Sequence, residues 1–203
     1  SGAIATYTRD DRGLLTAQND PDLGSWSYTN DATGQVVSQT DARGNVTTIS
    51  YDSLGRMTAR TIAGETSTWA YDGTASGNKL GRLRLVTGPG GFRRAFYYDD
   101  KARPILEVAQ IRGQFFNIAT AYGDYSRVSR VEYRWRPLGL EGPDFYGNAK
   151  WYSFGVAYEY NADGFVTAVR DTAGRDWWTS PTYNDLGKVT AFTYGNGLAT
   201  ACE

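Results

Sequence analysis

Histidine is absent from the 203 residues, and cysteine occurs once, at Cys202. Without histidine there is no Ser-His or Cys-His nucleophile pair, no His-ligated zinc and no imidazole acid–base chemistry in this chain. A single cysteine excludes an internal disulfide. No apolar run approaches the ~20 residues of a membrane span, and no signal-peptide pattern opens the sequence. Neither sign of charge is in excess: 21 basic and 22 acidic residues leave a net charge of −1 and a pI near 5.6. That balance argues against a nucleic-acid or acidic-membrane partner. No segment of ten or more residues combines helical periodicity with caps. Ser1-Gly2, with no initiating methionine, reads as the start of an excerpt from a longer protein.

What the chain has is 24 glycines, 15 tyrosines and 6 tryptophans, which points to an all-β protein. It also has a recurring turn. Asx-x-x-Gly occurs at Asp10, Asp31, Asp41, Asp52, Asn78, Asp144, Asn161, Asp171 and Asn184, against about three expected by chance, the mark of a repeat. Asp or Asn opens a type I turn by accepting a backbone N–H two residues on. Glycine closes it in the left-handed conformation, the hairpin geometry with a glycine bulge. Tyrosine stands before the Asx at Tyr51, Tyr160 and Tyr183, and also at Tyr71 and Tyr98 where the turn is degenerate. At Asp99 the glycine slot holds Ala102. After the glycine come one further residue, an apolar residue and threonine, as in Leu15-Thr16, Met57-Thr58, Val166-Thr167 and Val189-Thr190. Glycine-to-glycine steps of ten or eleven leave about six residues of strand between turns. The expectation is a meander with hairpin tips on alternate edges of a sheet. Tyr51 and Arg56 flank the tip Asp52–Gly55, which places the guanidinium near that ring. Pro137 to Asn148 reads as a loop.

The motif Tyr-Asp-x-x-Gly-Arg-apolar-Thr resembles the RHS/YD-repeat family, and YDSLGRMT at Tyr51 to Thr58 matches it throughout. The resemblance is clearest over 28–64 and 158–200, is degenerate over 101–157, and treats 1–203 as a single repeat region. It implies tandem β-hairpins forming one extended, curved antiparallel sheet, part of a hollow spiral shell. Such shells enclose a C-terminal toxin or effector in secreted bacterial Rhs effectors and insecticidal toxin complexes. Cell-surface teneurins carry more distantly related shells. Its partners are then the rest of the parent shell and the cargo domain. Nucleic acid, membrane span, cofactor and metal are absent from this expectation, and catalysis is not expected. No aspartate-containing self-cleavage motif of the family occurs here. The alternative is a cell-surface module binding carbohydrate or protein.

The residues support a wall independently. Along 187–195, Val189, Ala191 and Thr193 share one face and Thr190, Phe192 and Tyr194 the other, so neither face is a continuous aliphatic layer. A sandwich needs a strongly apolar inner face. The structural turn set is Tyr51, Asp52, Gly55, Arg56, Tyr160, Asn161, Gly164, Tyr183, Asn184 and Gly187, with tyrosine packing across the hairpin and Asx capping it. Trp26, Trp151, Trp177 and Trp178, with Trp69, are candidate exposed aromatics for a sugar. Trp177 and Trp178, as strand neighbours, are expected on opposite faces. Asp20-Pro21-Asp22 and Asp99-Asp100 lack calcium-loop spacing and read as turn carboxylates. The last strand, near Ala199–Cys202, has little to discourage edge-to-edge self-association.

Overall fold

The computed structural model describes residues 4–71, 81–136 and 152–202. Trp151, Asn78 and the Asp144–Gly147 motif lie outside the described residues. The protein is all-β: among the described residues the only helical segments are two single 3₁₀ turns, Pro89–Gly91 and Asp124–Ser126. Two compact units are present, residues 4–71 with 81–93 and residues 94–136 with 152–202.

In the first unit β1 (Thr6–Arg9), β2 (Leu15–Asp20), β3 (Gly24–Asn30), β4 (Val36–Thr40), β5 (Val46–Tyr51), β6 (Met57–Ile62), β7 (Glu65–Tyr71) and β8 (Leu83–Gly88) follow one another. Each pairs antiparallel with the next, as a meander does. The second unit takes β9 (Phe92–Tyr98) from Arg94 on, then β10 (Pro104–Ile111), β11 (Gln114–Tyr122), β12 (Val128–Arg136), β13 (Tyr152–Tyr160), β14 (Val166–Asp171), β15 (Asp176–Tyr183), β16 (Val189–Tyr194) and β17 (Ala199–Ala201). From β10 onward these too pair antiparallel in chain order.

β-Branched residues dominate strands such as VTTISY and MTARTI, where a branched side chain fits the pleated surface. Threonine pairs across strands add hydroxyl hydrogen bonds: Thr61 to Thr66 at 2.8 Å, Thr68 to Thr87 at 2.6 Å and Thr182 to Thr190 at 2.8 Å. Very little is buried. Among the described residues only Thr47, Gly155, Val156, Ala168 and Asp171 are. Two packed sheets would bury alternate residues along every strand; here most strands are half-buried on both faces, β1 is exposed throughout, and β3 alternates only between half-buried and exposed.

Candidate functional site

The tips are built alike. At Asp10, Asp31, Asp41, Asp52, Asp99, Asn161, Asp171 and Asn184 the Asx N–H donates to the carbonyl four residues on, at 2.9–3.0 Å. The N–H three residues on donates back to the Asx carbonyl. The side-chain Oδ1 then gathers the remaining amides: Asp52 accepts from Leu54 N at 2.9 Å and Arg56 N at 3.0 Å. Gly55 closes this turn at φ 77°, and Ala102 does so at φ 60° in the Asp99 tip. Asp20 also caps its turn, accepting from Asp22 N at 2.9 Å and Leu23 N at 3.0 Å. These amides stabilise the ionised carboxylates. The Arg56 N–H holds Asp52 below the usual carboxylate range, the Arg175 N–H does so for Asp171, and at Asp99 the Arg103 guanidinium contributes most.

Alternate tips lie on one edge of each meander, and along one edge they are linked. The residue before the tip reaches back to the hairpin preceding it on that edge. Asn30 Nδ2 donates to Leu15 O at 2.9 Å, and Tyr51 Oη to Val36 O at 2.9 Å. In the second unit Tyr122 Oη donates to Pro104 O at 2.8 Å, Tyr160 Oη to Val128 O at 2.7 Å and Tyr183 Oη to Val166 O at 2.6 Å. The carbonyl is each time the fifth residue after the preceding tip's first position. Burial raises the Tyr160 and Tyr183 phenols above their ordinary pKa.

The residue four past the tip's start reaches the other way. Arg56 pairs with Asp52 at 2.7 Å and lies 4.5 Å from the Tyr71 ring, that of the next hairpin on the edge and not the Tyr51 of its own. The sequence expectation of an Arg56–Tyr51 contact is thereby corrected: the bulge at Thr58, after the tip, turns Tyr51 away toward Val36. Arg103 likewise bonds Asp99 and lies 4.2 Å from Tyr122. Phe165 substitutes for arginine and stacks on Tyr183 at 4.7 Å. These side chains also cover the next tip's glycine. A Cβ at Gly34 would meet Leu14 at 3.3 Å, at Gly55 Gln35 at 3.2 Å, and at Gly187 Phe165 at 2.9 Å. Tips Asp41 and Asp171 on the other edge leave open space at Gly44 and Gly174.

At the linked edge a bulge is present wherever the register of the flanking strands is given. The register shifts at Arg9, Asn30, Tyr51, Tyr71, Tyr122, Tyr160 and Tyr183. The extra residue is Thr16, Thr58, Thr167 or Thr190 wherever the apolar-Thr pair occurs on this edge, which gives that motif its structural role. Sequence reasoning missed this, and it missed two turns. Ala63-Gly64 and Arg112-Gly113 both have two consecutive positive φ values, and Ile62 pairs with Glu65 as Ile111 does with Gln114. These are two-residue type I′ hairpins. Their signal was Ile-x-Gly-Glu/Gln.

Of the tryptophans, Trp26 is half-buried with Nε1 donating to Leu23 O at 3.2 Å. Trp69 lies 6.0 Å from the Arg60 guanidinium. Trp177 and Trp178 do not separate to opposite faces. Trp178 sits opposite Val169 while Arg170 pairs with Asp176, so Trp177 is an extra, bulged residue. Its ring stacks 4.9 Å from Phe154, on the face that carries Val169 and Trp178. Phe154 also stacks on Tyr133 at 6.4 Å, Trp135 stacks on Tyr152 at 5.8 Å, and Trp178 approaches Phe192 at 5.6 Å. The opposite face is ionic: Glu132 bridges Arg130 and Arg134 at 3.0 Å each, and Arg170 joins Glu159 and Asp176.

Residues 31–67 match the family model described as RHS Repeat, over the Asp31, Asp41 and Asp52 tips. The chain matches no curated protein. Among solved structures it is similar to the Photorhabdus luminescens Tc holotoxin pore, at 12% identity and a TM-score of 0.48 over 95% of this chain and 14% of that one. A TcdB2–TccC3 crystal structure gives 14% identity and a TM-score of 0.31, and a TcdB2–TccC3–Cdc42 structure 14% and 0.30, each covering 95% of this chain and 15% of the other. The chain thus spans about a seventh of the length of the chains it matches.

Proposed function

We propose that this chain is a length of wall in an RHS-type shell, which encloses a cargo segment of a larger secreted or cell-surface bacterial protein. The role is containment and not catalysis. The observation that carries it is the linked edge, where the residue before the tip, tyrosine in four of the five described ties and Asn30 in the other, bonds the hairpin before it, and the residue four past the tip's start reaches the one after. Such a unit is completed by its neighbours, so it extends by repetition. The RHS Repeat match at residues 31–67 supports the reading, as does the recurrence of the same tip at Asp99, Asn161, Asp171 and Asn184. Scarce burial fits a wall that needs no second layer. The partners are the neighbouring repeats of the parent and its enclosed segment.

The test is limited proteolysis of the parent protein. The segment beyond the repeats resists cleavage while the wall is intact and becomes cleavable when Gly55 and Gly187 are both changed to valine. A segment cut equally fast in both proteins refutes containment.

A further inference from the structure

One turn of the linked edge departs from the others. Between β11 and β12 the tip starts at Gly123, where the other described tips of this edge have Asp or Asn. The backbone bond is kept, with Gly123 N donating to Arg127 O at 2.9 Å. Arginine is kept too, as Arg127, four residues past the tip's start. At Arg56 and Arg103 the tip's own carboxylate accepts from Nε at 2.7 Å. Glycine supplies none, and no carboxylate lies within 4.0 Å of the Arg127 guanidinium among the described residues.

The guanidinium is nevertheless held in place. Its Cζ lies 5.7 Å from the Tyr160 ring and 5.1 Å from Tyr125, and a Cβ on Gly164 would meet it at 2.7 Å. Arg127 lines a cleft of about 370 Å³ with Asp124, Tyr125, Ser129, Tyr160 and Asn161. Tyr125 is 87% exposed at its rim. Tyr125 and Ser126 are consecutive non-glycine residues with φ of 56° and 61°, a left-handed pair that costs free energy and that clusters at binding sites.

We propose that this cleft binds a carboxylate presented by an acidic peptide, which takes the place at Arg127 that a tip aspartate takes at Arg56 and Arg103. The guanidinium fork matches a planar carboxylate, and the Tyr125 ring offers a surface for the methylene beside it. Asp124 is exposed and unpaired with Arg127, so it sets a modest repulsion that a single carboxylate overcomes.

The test follows the Arg127 Nε–H signal in nitrogen–proton correlation spectra, assigned by its loss in Arg127→Lys. Adding N-acetylaspartate N-methylamide at constant ionic strength shifts the signal saturably in the wild-type chain. Gly123→Asp restores a carboxylate in cis. Residue 123 has φ −93° and a Cβ there meets only Ser129 Cβ at 3.5 Å, so the substitution is tolerated. Its Arg127 signal starts near those of Arg56 and Arg103 and the response is lost. Asp124→Asn keeps the response. An unmoved signal in the wild-type chain, an equal response in Gly123→Asp, loss of response in Asp124→Asn, or a larger response to inorganic phosphate than to the carboxylate overturns the proposal.

Discussion

Gly174→Ala and Gly187→Ala make a matched pair that isolates packing along the linked edge from the backbone requirement of the tip. Both glycines close an Asx turn in the second unit, at φ 85° and 74°. Alanine in that conformation costs about 1–2 kcal/mol, offset by about 0.5–1 kcal/mol because the unfolded chain loses freedom. Gly174→Ala meets nothing further, since no atom lies within 4 Å of its Cβ position, so its net cost is about 0.5–1 kcal/mol. Gly187→Ala brings a methyl to 2.9 Å from Phe165. Phe165 must then leave its rotamer, at about 0.5–1.5 kcal/mol. It also loses part of its stacking on Tyr183, worth about 0.5–1.5 kcal/mol. Gly187→Ala should therefore be the more destabilising by about 1–2 kcal/mol. Urea unfolding of both variants, followed by tyrosine and tryptophan fluorescence, measures the difference. A second substitution, Phe165→Leu, should narrow it, because the shorter side chain gives way. Equal midpoints for the two glycine variants would refute the claim that the edges differ.

Ala102→Gly should stabilise the chain by about 0.5–1 kcal/mol, since Ala102 already sits at φ 60° and glycine relieves that strain; a lowered urea midpoint contradicts it. Tyr183→Phe should cost about 1 kcal/mol through the lost bond to Val166, while Tyr125→Phe, at a side chain 87% exposed, should leave the midpoint unchanged. Stability should be level at neutral pH and fall as pH drops below about 4, the unfolded aspartate value. The folded carboxylates of Asp10, Asp31, Asp41, Asp52, Asp99 and Asp171 are depressed. Their contribution is present above the unfolded pKa and is lost as pH falls toward the folded one. Asp52→Asn should flatten the acid limb of a thermal-melt series, and an unchanged limb would remove Asp52 from the set.

The hairpin tips were legible because their code is local. Asx side chain, backbone amides and glycine all lie within five residues, and every Asx-x-x-Gly within the described residues folds as a tip, Asp10, Asp31, Asp41, Asp52, Asn161, Asp171 and Asn184 alike. Ala102 in a glycine slot was equally readable. The partner of Arg56 was not. Tyr51 is five residues away and Tyr71 is fifteen, and only the bulge at Thr58 turns the nearer ring from the guanidinium toward Val36. The same effect hid the tryptophans: period-two alternation separates Trp177 from Trp178, and one extra residue against Arg170 cancels it. Bulges are set by pairing between strands, and pairing is not written in either strand alone.

The bulge also explains how a protein with so small a buried core keeps its register. In a packed domain a one-residue slip is penalised because it turns an apolar face to water. Here both faces of most strands are half-buried, and that penalty is weak. The linked edge replaces it. A slip of one residue in β15 against β14 would carry Tyr183 Oη away from Val166 O, and Phe165 off Gly187. Each hairpin therefore reads its register from the hairpin before it. This also accounts for the variety tolerated four residues past the tip's start, where Leu14, Gln35, Arg56, Arg127 and Phe165 all serve. What they share is length enough to lie over a glycine that has no side chain. At Arg127 that requirement is met by the stem and the planar group together, and the charge, released from holding its own turn, is left for another carboxylate.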